Sequence, residues 1–324
     1  MTEQKTLKRR VRMRMAQTGE SYTQARAAIV GTQAESDAAP TEVEAIVLKL
    51  NQKSARVRFV GEEGEVTFRS TDTWKLAPGH VAELKLNKRW THRGHAYASG
   101  KVSSVRIDIP ALGLEPLPLE NFGTVDLAYV HEPFEDPDPY APMWRKLSAT
   151  PRPAVSFHEI AWRGRAAFES GDPEDCPVCD ASDMSRMGDP EGARELLMDV
   201  LHVDLRCVDA HAHLGNLEFD GNPKAALEHY EIGVRIGALS LPTDEPNLLV
   251  QWGPIYNRPY LRCMLGYGLS LWKLDRLGEA EAVFERILTL NPADNQGVRF
   301  NLLDLRNGLT WKDVQEQEEA LAVT

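Results

Sequence analysis

The chain has 324 residues, 42% of them hydrophobic and 26% charged, with a formal net charge of −11. That length suggests about two domains plus connecting segments, and the composition excludes a collagen, a wholly disordered chain and a disulfide scaffold. No apolar run reaches the roughly 18 residues of a membrane-spanning helix, and the basic N-terminus lacks the apolar core of a secretory signal.

Charge is unevenly spread. Residues 1–106 hold 19 Lys/Arg against 11 Asp/Glu, and residues 107–324 hold 18 against 37. Such asymmetry implies modules with different partners, or a basic half that covers the acidic half until a partner displaces it. The four cysteines, in a chain without a signal, point to a reducing cytoplasm.

In chain order, KTLKRRVRMRMAQ is a basic stretch of helix formers that Thr18-Gly19 breaks, and Ser21 or Thr23 can cap a second helix. Residues 1–31 therefore read as a helical hairpin, too small to bury a core of its own. Its cations Lys8, Arg9, Arg10, Arg12 and Arg14 are candidate nucleic-acid contacts. Residues 32–41, small, polar and proline-containing, read as a linker.

From 42 to 106 the period changes to two. Segments such as SARVRFVG and GEVTFRS alternate between turns that carry Gly61, Gly64, Pro78-Gly79, Gly94 and Gly100. Five short strands in 65 residues predict a small antiparallel β-barrel of SH3-like or OB-like type. Lys85, Lys88, Arg89, Trp90 and Arg93 cluster on it; cations neutralise phosphates and aromatics stack on bases, so this is a second candidate nucleic-acid surface. Residues 107–153, rich in proline and acid, read as an extended connector. EDPDP within it lacks calcium-loop spacing.

From 154 to 324 the pattern is helical, with AVSFHEIAWRGRAAFES as the first amphipathic segment. The strongest signal is a small residue followed four later by a large one, then a helix end: Ala280, Phe284 and Pro292, preceded by Gly268 twelve residues upstream. Gly215, Ala226 and Tyr230 repeat it, and Gly188, Ala193 and Leu197 echo it. The small residue lets two antiparallel helices approach while the large one fills the groove between them. This pattern resembles the tetratricopeptide repeat (TPR), over roughly residues 174–307. The stretch from Arg258 to Phe300 is also similar to a group of uncharacterised bacterial TPR proteins with a basic N-terminal region. About 20 residues, near 238–257, are inserted between the second and third copies and are expected to pack into or over the groove.

The resemblance implies an all-α solenoid whose first helices line a concave groove for a protein or peptide partner. By position Asn216, Arg262, Leu265, Leu269, Trp272 and Lys273 should face it. Asn216 matches the asparagine of carboxylate-clamp TPR domains, but Ala212 stands where the clamp's lysine would be and Gly266 where the next repeat's asparagine would be, so no clamp is expected. Cys176-Pro-Val-Cys179 has the spacing of half a zinc site or of a redox pair. His211 and His213, two apart, point to different helix faces and read as structural. No phosphate loop, nucleophile elbow or zinc-protease motif occurs. The sequence thus predicts an α+β multidomain protein with no cofactor and no enzymatic role: an adaptor that binds protein through its groove. The alternative is a nucleic-acid-associated regulator that holds DNA or RNA through residues 1–106.

Overall fold

The structure is a computed structural model describing residues 11–16, 18–22, 24–25, 41–127, 139–159, 161 and 175–322. The chain divides into two compact units, Met1–Thr41 and Glu42–Thr324. In the first, residues 11–16 are helical. Gly19, at a φ of 71°, ends this turn with its N–H donating to Met15 O at 3.0 Å. Ser21 and Gln24 then cap each other reciprocally: Gln24 Oε1 accepts from the Ser21 N–H and Ser21 Oγ from the Gln24 N–H. Arg14 pairs with Glu20 at 2.9 Å. Lys8, Arg9, Arg10 and the linker up to residue 40 lie outside the described residues.

The second unit begins with five strands: β1 (Thr41–Asn51), β2 (Ser54–Phe59), β3 (Val66–Arg69), β4 (Val81–His92) and β5 (His95–Arg106). Their order across the sheet is β1-β2-β3-β5-β4. Three of these pairings are antiparallel, but β3 and β5 run parallel. This corrects the expectation of a wholly antiparallel sheet. The chain leaves β3, passes through a 3-10 turn at Thr73–Lys75, and enters β4 beyond the place that β5 later fills. Just ahead of β4 it is tied to β1, through Val47 N–H to His80 O and Gly79 N–H to Val47 O, both 2.9 Å. Period-two alternation sends Val57, Phe59, Val66, Phe68, Leu84, Leu86 and Ala98 into one core.

β1 breaks that alternation, since Ala45 to Leu48 are all buried. Ala45 and Val47 face the strands' own core, whereas Ile46 and Leu48, with Ala77 and Val81, belong to the core of the helices. Gly79, at a φ of 94°, seats the sheet on a helix: a Cβ there would lie 2.7 Å from Ile232 Cγ2. Lys49 pairs with Asp199, and His202 Nε2 lies 2.9 Å from Glu65 Oε2. Strands and helices are therefore built around a shared core, not as two bodies joined by an extended linker.

The segment read as a connector is structured in part. It holds α1 (Ile109–Leu112), β6 (Leu119–Val125) and α2 (Ala141–Leu147). The first residues of the helix expected from 154 are instead β7 (Arg152–Phe157), antiparallel to β6, and beyond it Glu159 and Ala161 are helical. Residues 128–138 and 162–174 lie outside the described residues. The insertion near 238–257 runs along β7, not over a groove: Leu249 N–H donates to Pro153 O at 2.8 Å and Val155 N–H to Leu249 O at 3.0 Å. The buried Arg152 fastens it, with Nε donating to Asn247 O and Nη2 to Thr289 O, both 2.7 Å.

Eight helices complete the described chain: α3 (Pro177–Arg186), α4 (Pro190–Val203), α5 (Val208–Glu218), α6 (Pro223–Ala238), α7 (Arg258–Lys273), α8 (Leu277–Leu290), α9 (Val298–Arg306) and α10 (Trp311–Ala322). Asp189 and Asn222 cap α4 and α6, each accepting a backbone N–H three residues on and each followed by proline at the first helical position. α5 packs on both α6 and α7, and α7 on α8. The small–large pairs lie in these contacts. Ala226, Ala280 and Phe284 are fully buried. A Cβ on Gly268 would lie 2.5 Å from the Phe284 ring, and one on Gly215 2.5 Å from the Tyr230 ring. A Cβ on Gly266 would lie 2.3 Å from the same ring, so one aromatic ring fills the space that two glycines leave. Pro292, just past α8, is buried too.

Candidate functional site

The first helices of successive pairs bring four of the six expected groove residues together. Asn216 on α5 and Arg262, Leu265 and Leu269 on α7 line a recess of about 250 Å³, with Phe219, Tyr230 and Gly266 also on its walls. A second recess of about 180 Å³, between α3, α4 and α5, shares Asn216 and is lined by Ser182, Arg186, Leu197, His213 and Leu217. The two therefore meet at Asn216 and pass across α3, α5 and α7.

The polar groups in this groove are held in place. Tyr230 Oη donates to Asn216 Oδ1 at 2.6 Å, which orients the amide. Burial pushes the Tyr230 phenol above its ordinary pKa, so it stays a donor. Arg262 Nη1 donates to the buried Asp209 Oδ1 at 2.7 Å. Burial also lowers the His213 pKa, Asp209 opposing and Arg262 assisting. Arg262 thus presents to the groove a guanidinium already fixed at one end. Fixing donors beforehand reduces the rotamer entropy that a ligand would have to remove.

Two expected groove residues are placed otherwise. Trp272 is fully buried, edge-on to Phe284 and Trp311, and its Nε1–H donates to Leu309 O at 3.0 Å. It anchors α9 and α10 to the stack and is not free to meet a partner. Lys273 turns back: its Nζ donates to Phe219 O at 3.1 Å and sits over the rings of Phe219 and Trp311. The reason is the last helix pair, whose Trp311 closes over this end of α7. Phe219 and Tyr230 are wall residues the sequence did not point to, Tyr230 because a packing residue does not look like a site in a linear pattern, while Gly266 lies where the next repeat's asparagine was sought.

Cys176 and Cys179 form a disulfide, which leaves neither as half of a zinc site. Among the described residues no group of three or more His, Cys, Asp or Glu is placed to hold a metal ion. Cys207 and Cys263 are buried thiols. His211 is buried, its Nε2 against Leu205 O at 3.1 Å, in keeping with a structural role. It lies near two more buried histidines, His80 and His229.

The sheet carries the other candidate surface. Lys85, Lys88 and Arg93 are exposed on β4 and on the turn to β5. Arg89 is engaged: its guanidinium forms a two-pronged pair with Glu62 and lies 4.6 Å from the Phe59 ring centroid. Trp90 stacks on Tyr97, with ring centroids 5.5 Å apart and planes 11° from parallel. Arg12 is exposed in the N-terminal unit. No helix among the described residues is long and apolar enough to cross a membrane. No protein-family model, no curated protein and no solved structure matches this chain.

Proposed function

We propose that this protein is a non-catalytic adaptor, whose C-terminal helices act as a short TPR-like solenoid that binds an extended peptide of a protein partner. The supporting observation is the convergence of α3, α5 and α7 on two recesses that meet at Asn216. Leu265, Leu269 and Leu217 offer apolar contact, while Asn216 and Arg262 offer oriented polar groups for a peptide backbone. The small residues that pack the helix pairs, and the buried Ala226 and Ala280, support the repeat reading. The strand order, the parallel β3–β5 pair and the tie between β1 and the start of β4 support an OB-like barrel over an SH3-like one.

The test is photo-crosslinking in cells, with a photoreactive amino acid at position 269 of the full chain. A discrete partner should be captured, and Leu265→Glu should abolish capture. The exposed Phe300→Glu, outside both recesses, should leave it intact. Capture that survives Leu265→Glu, or no capture by natively folded protein, defeats the reading.

A further inference from the structure

We propose that the outer face of β3, β5 and the later part of β4 binds single-stranded nucleic acid, stacking bases on the Trp90–Tyr97 pair and holding phosphates with the cations that flank it. The alternation that buries Val66, Phe68, Leu84, Leu86, Ala98 and Val102 turns their neighbours outward. Register then puts those neighbours side by side. Tyr97 lies opposite Trp90 on β4 and Thr67 on β3, Arg69 lies opposite Ser99, and Lys101 opposite Lys85.

The aromatic pair is not core. Both rings are half-buried, and neither belongs to the cluster inside the sheet. The Arg69 guanidinium lies 5.2 Å from the Tyr97 centroid and 5.9 Å from that of Trp90. This makes a cation–aromatic ladder on an open surface, the combination on which unstacked bases settle. A further aromatic, Trp74, is 78% exposed with Lys75 Nζ above it. It sits on the turn whose Asp72 accepts the Val102 N–H of β5.

The charges point the same way. Among the described residues Arg69, Lys85, Arg93 and Lys101 have no carboxylate within 4.0 Å, whereas Arg56 and Arg89 each have one and Arg106 has two. Lys85 and Lys101 face each other directly across the ladder. Like charges so placed disfavour the sheet, and an anion laid between them removes that cost. A polyanion supplies this, and its bases supply rings for the aromatic pair, which an acidic peptide lacks. The bases of a duplex are already stacked on each other, so the face selects single strands.

The experiment is fluorescence anisotropy of the full chain with labelled dT and rU oligomers of about 12 nucleotides. Binding of either is expected at about 50 mM salt, and four phosphate contacts predict roughly 50-fold weaker binding at about 200 mM. Trp90→Ala and Arg69→Ala should each weaken binding roughly 5- to 150-fold. The exposed Lys101→Glu, remote from the core, should weaken it as well and serves if Trp90→Ala misfolds. Leu265→Glu should bind the oligomers as the unaltered chain does, which separates this face from the groove. No binding by natively folded protein overturns the proposal. So does binding unchanged by Arg69→Ala and Lys101→Glu, preference for a duplex of equal length, or equal competition by polyglutamate.

Discussion

Gly266→Ala tests the packing on which the groove depends. In an open helix position this change stabilises, because alanine has the higher helix propensity by about 1 kcal/mol. Here the added Cβ would lie 2.3 Å from both Cε1 and Cζ of Tyr230, about 1 Å short of ordinary carbon–carbon contact. The ring is not free to retreat, since its hydroxyl is tied to Asn216 Oδ1 at 2.6 Å and the side chain is buried. Overpacking costs about 1–3 kcal/mol; set against the propensity gain, the net is a destabilisation of up to about 2 kcal/mol. Gly278→Ala, on α8 with nothing within 4 Å of its Cβ position, is the control and should stabilise by about 0.4–1 kcal/mol. Urea unfolding followed by tryptophan emission measures both. If Gly266→Ala proves as stabilising as Gly278→Ala, Tyr230 does not lie clamped between α5 and α7, and the groove it floors is not as described.

Trp272→Ala should cost about 3–5 kcal/mol in the same assay and loosen the last helix pair, since the indole is buried against Phe284 and Trp311. A loss of partner binding without a loss of stability would return Trp272 to the groove. Stability should also fall on acidification. Burial lowers His80 and His211 to about 4 and holds His229 well below its ordinary value. Between pH 6.5 and 4 the unfolded chain therefore binds more protons, and stability present above pH 6.5 is lost as pH falls through that window. Glu228, raised to about 7 by burial, acts oppositely: its folded form takes up the proton first, so its contribution is lost as pH rises toward 7. Four histidines, His213 included, outweigh Glu228 and the Asp294 carboxyl that burial also raises, and Glu228→Gln should steepen the acid loss. A midpoint in urea equal at pH 5 and pH 7.5 contradicts the burial of these rings. Thiol titration should find no reactive group in the native oxidised protein, two after mild reduction and four after unfolding, given a Cys176–Cys179 bridge and buried Cys207 and Cys263. Two thiols without reductant would contradict the bridge.

The helix pairs were legible because their signals are local. Ala226 and Tyr230, or Ala280 and Phe284, sit one helical turn apart, so a short window reveals them. Asp189-Pro190 and Asn222-Pro223 mark helix starts for the same reason. β7 was hidden: its six residues form an apolar run too short to separate a strand from a helix start, and its partner β6 lies across a long, proline-rich intervening stretch. The parallel β3–β5 pairing was equally invisible, and with it the contact of Arg69 with Tyr97, which depends on register between strands that are not consecutive. Asn216 and Leu269 line the recess where the small–large pattern suggested, whereas the withdrawal of Trp272 and Lys273 depends on Trp311, some 40 residues further on.

The sheet's grip on the helices bears on how the molecule can be cut. A fragment ending near residue 106 would leave Ile46, Leu48, Ala77 and Val81 as a greasy patch on an otherwise cationic strand layer. A fragment starting near 154 would bare Ile232 and strip β7 of β6. Both pieces invite clumping, and a negative binding result from either would report on damage instead of recognition. A reagent that keeps strands and helices together must run at least from β1 to the end of α10.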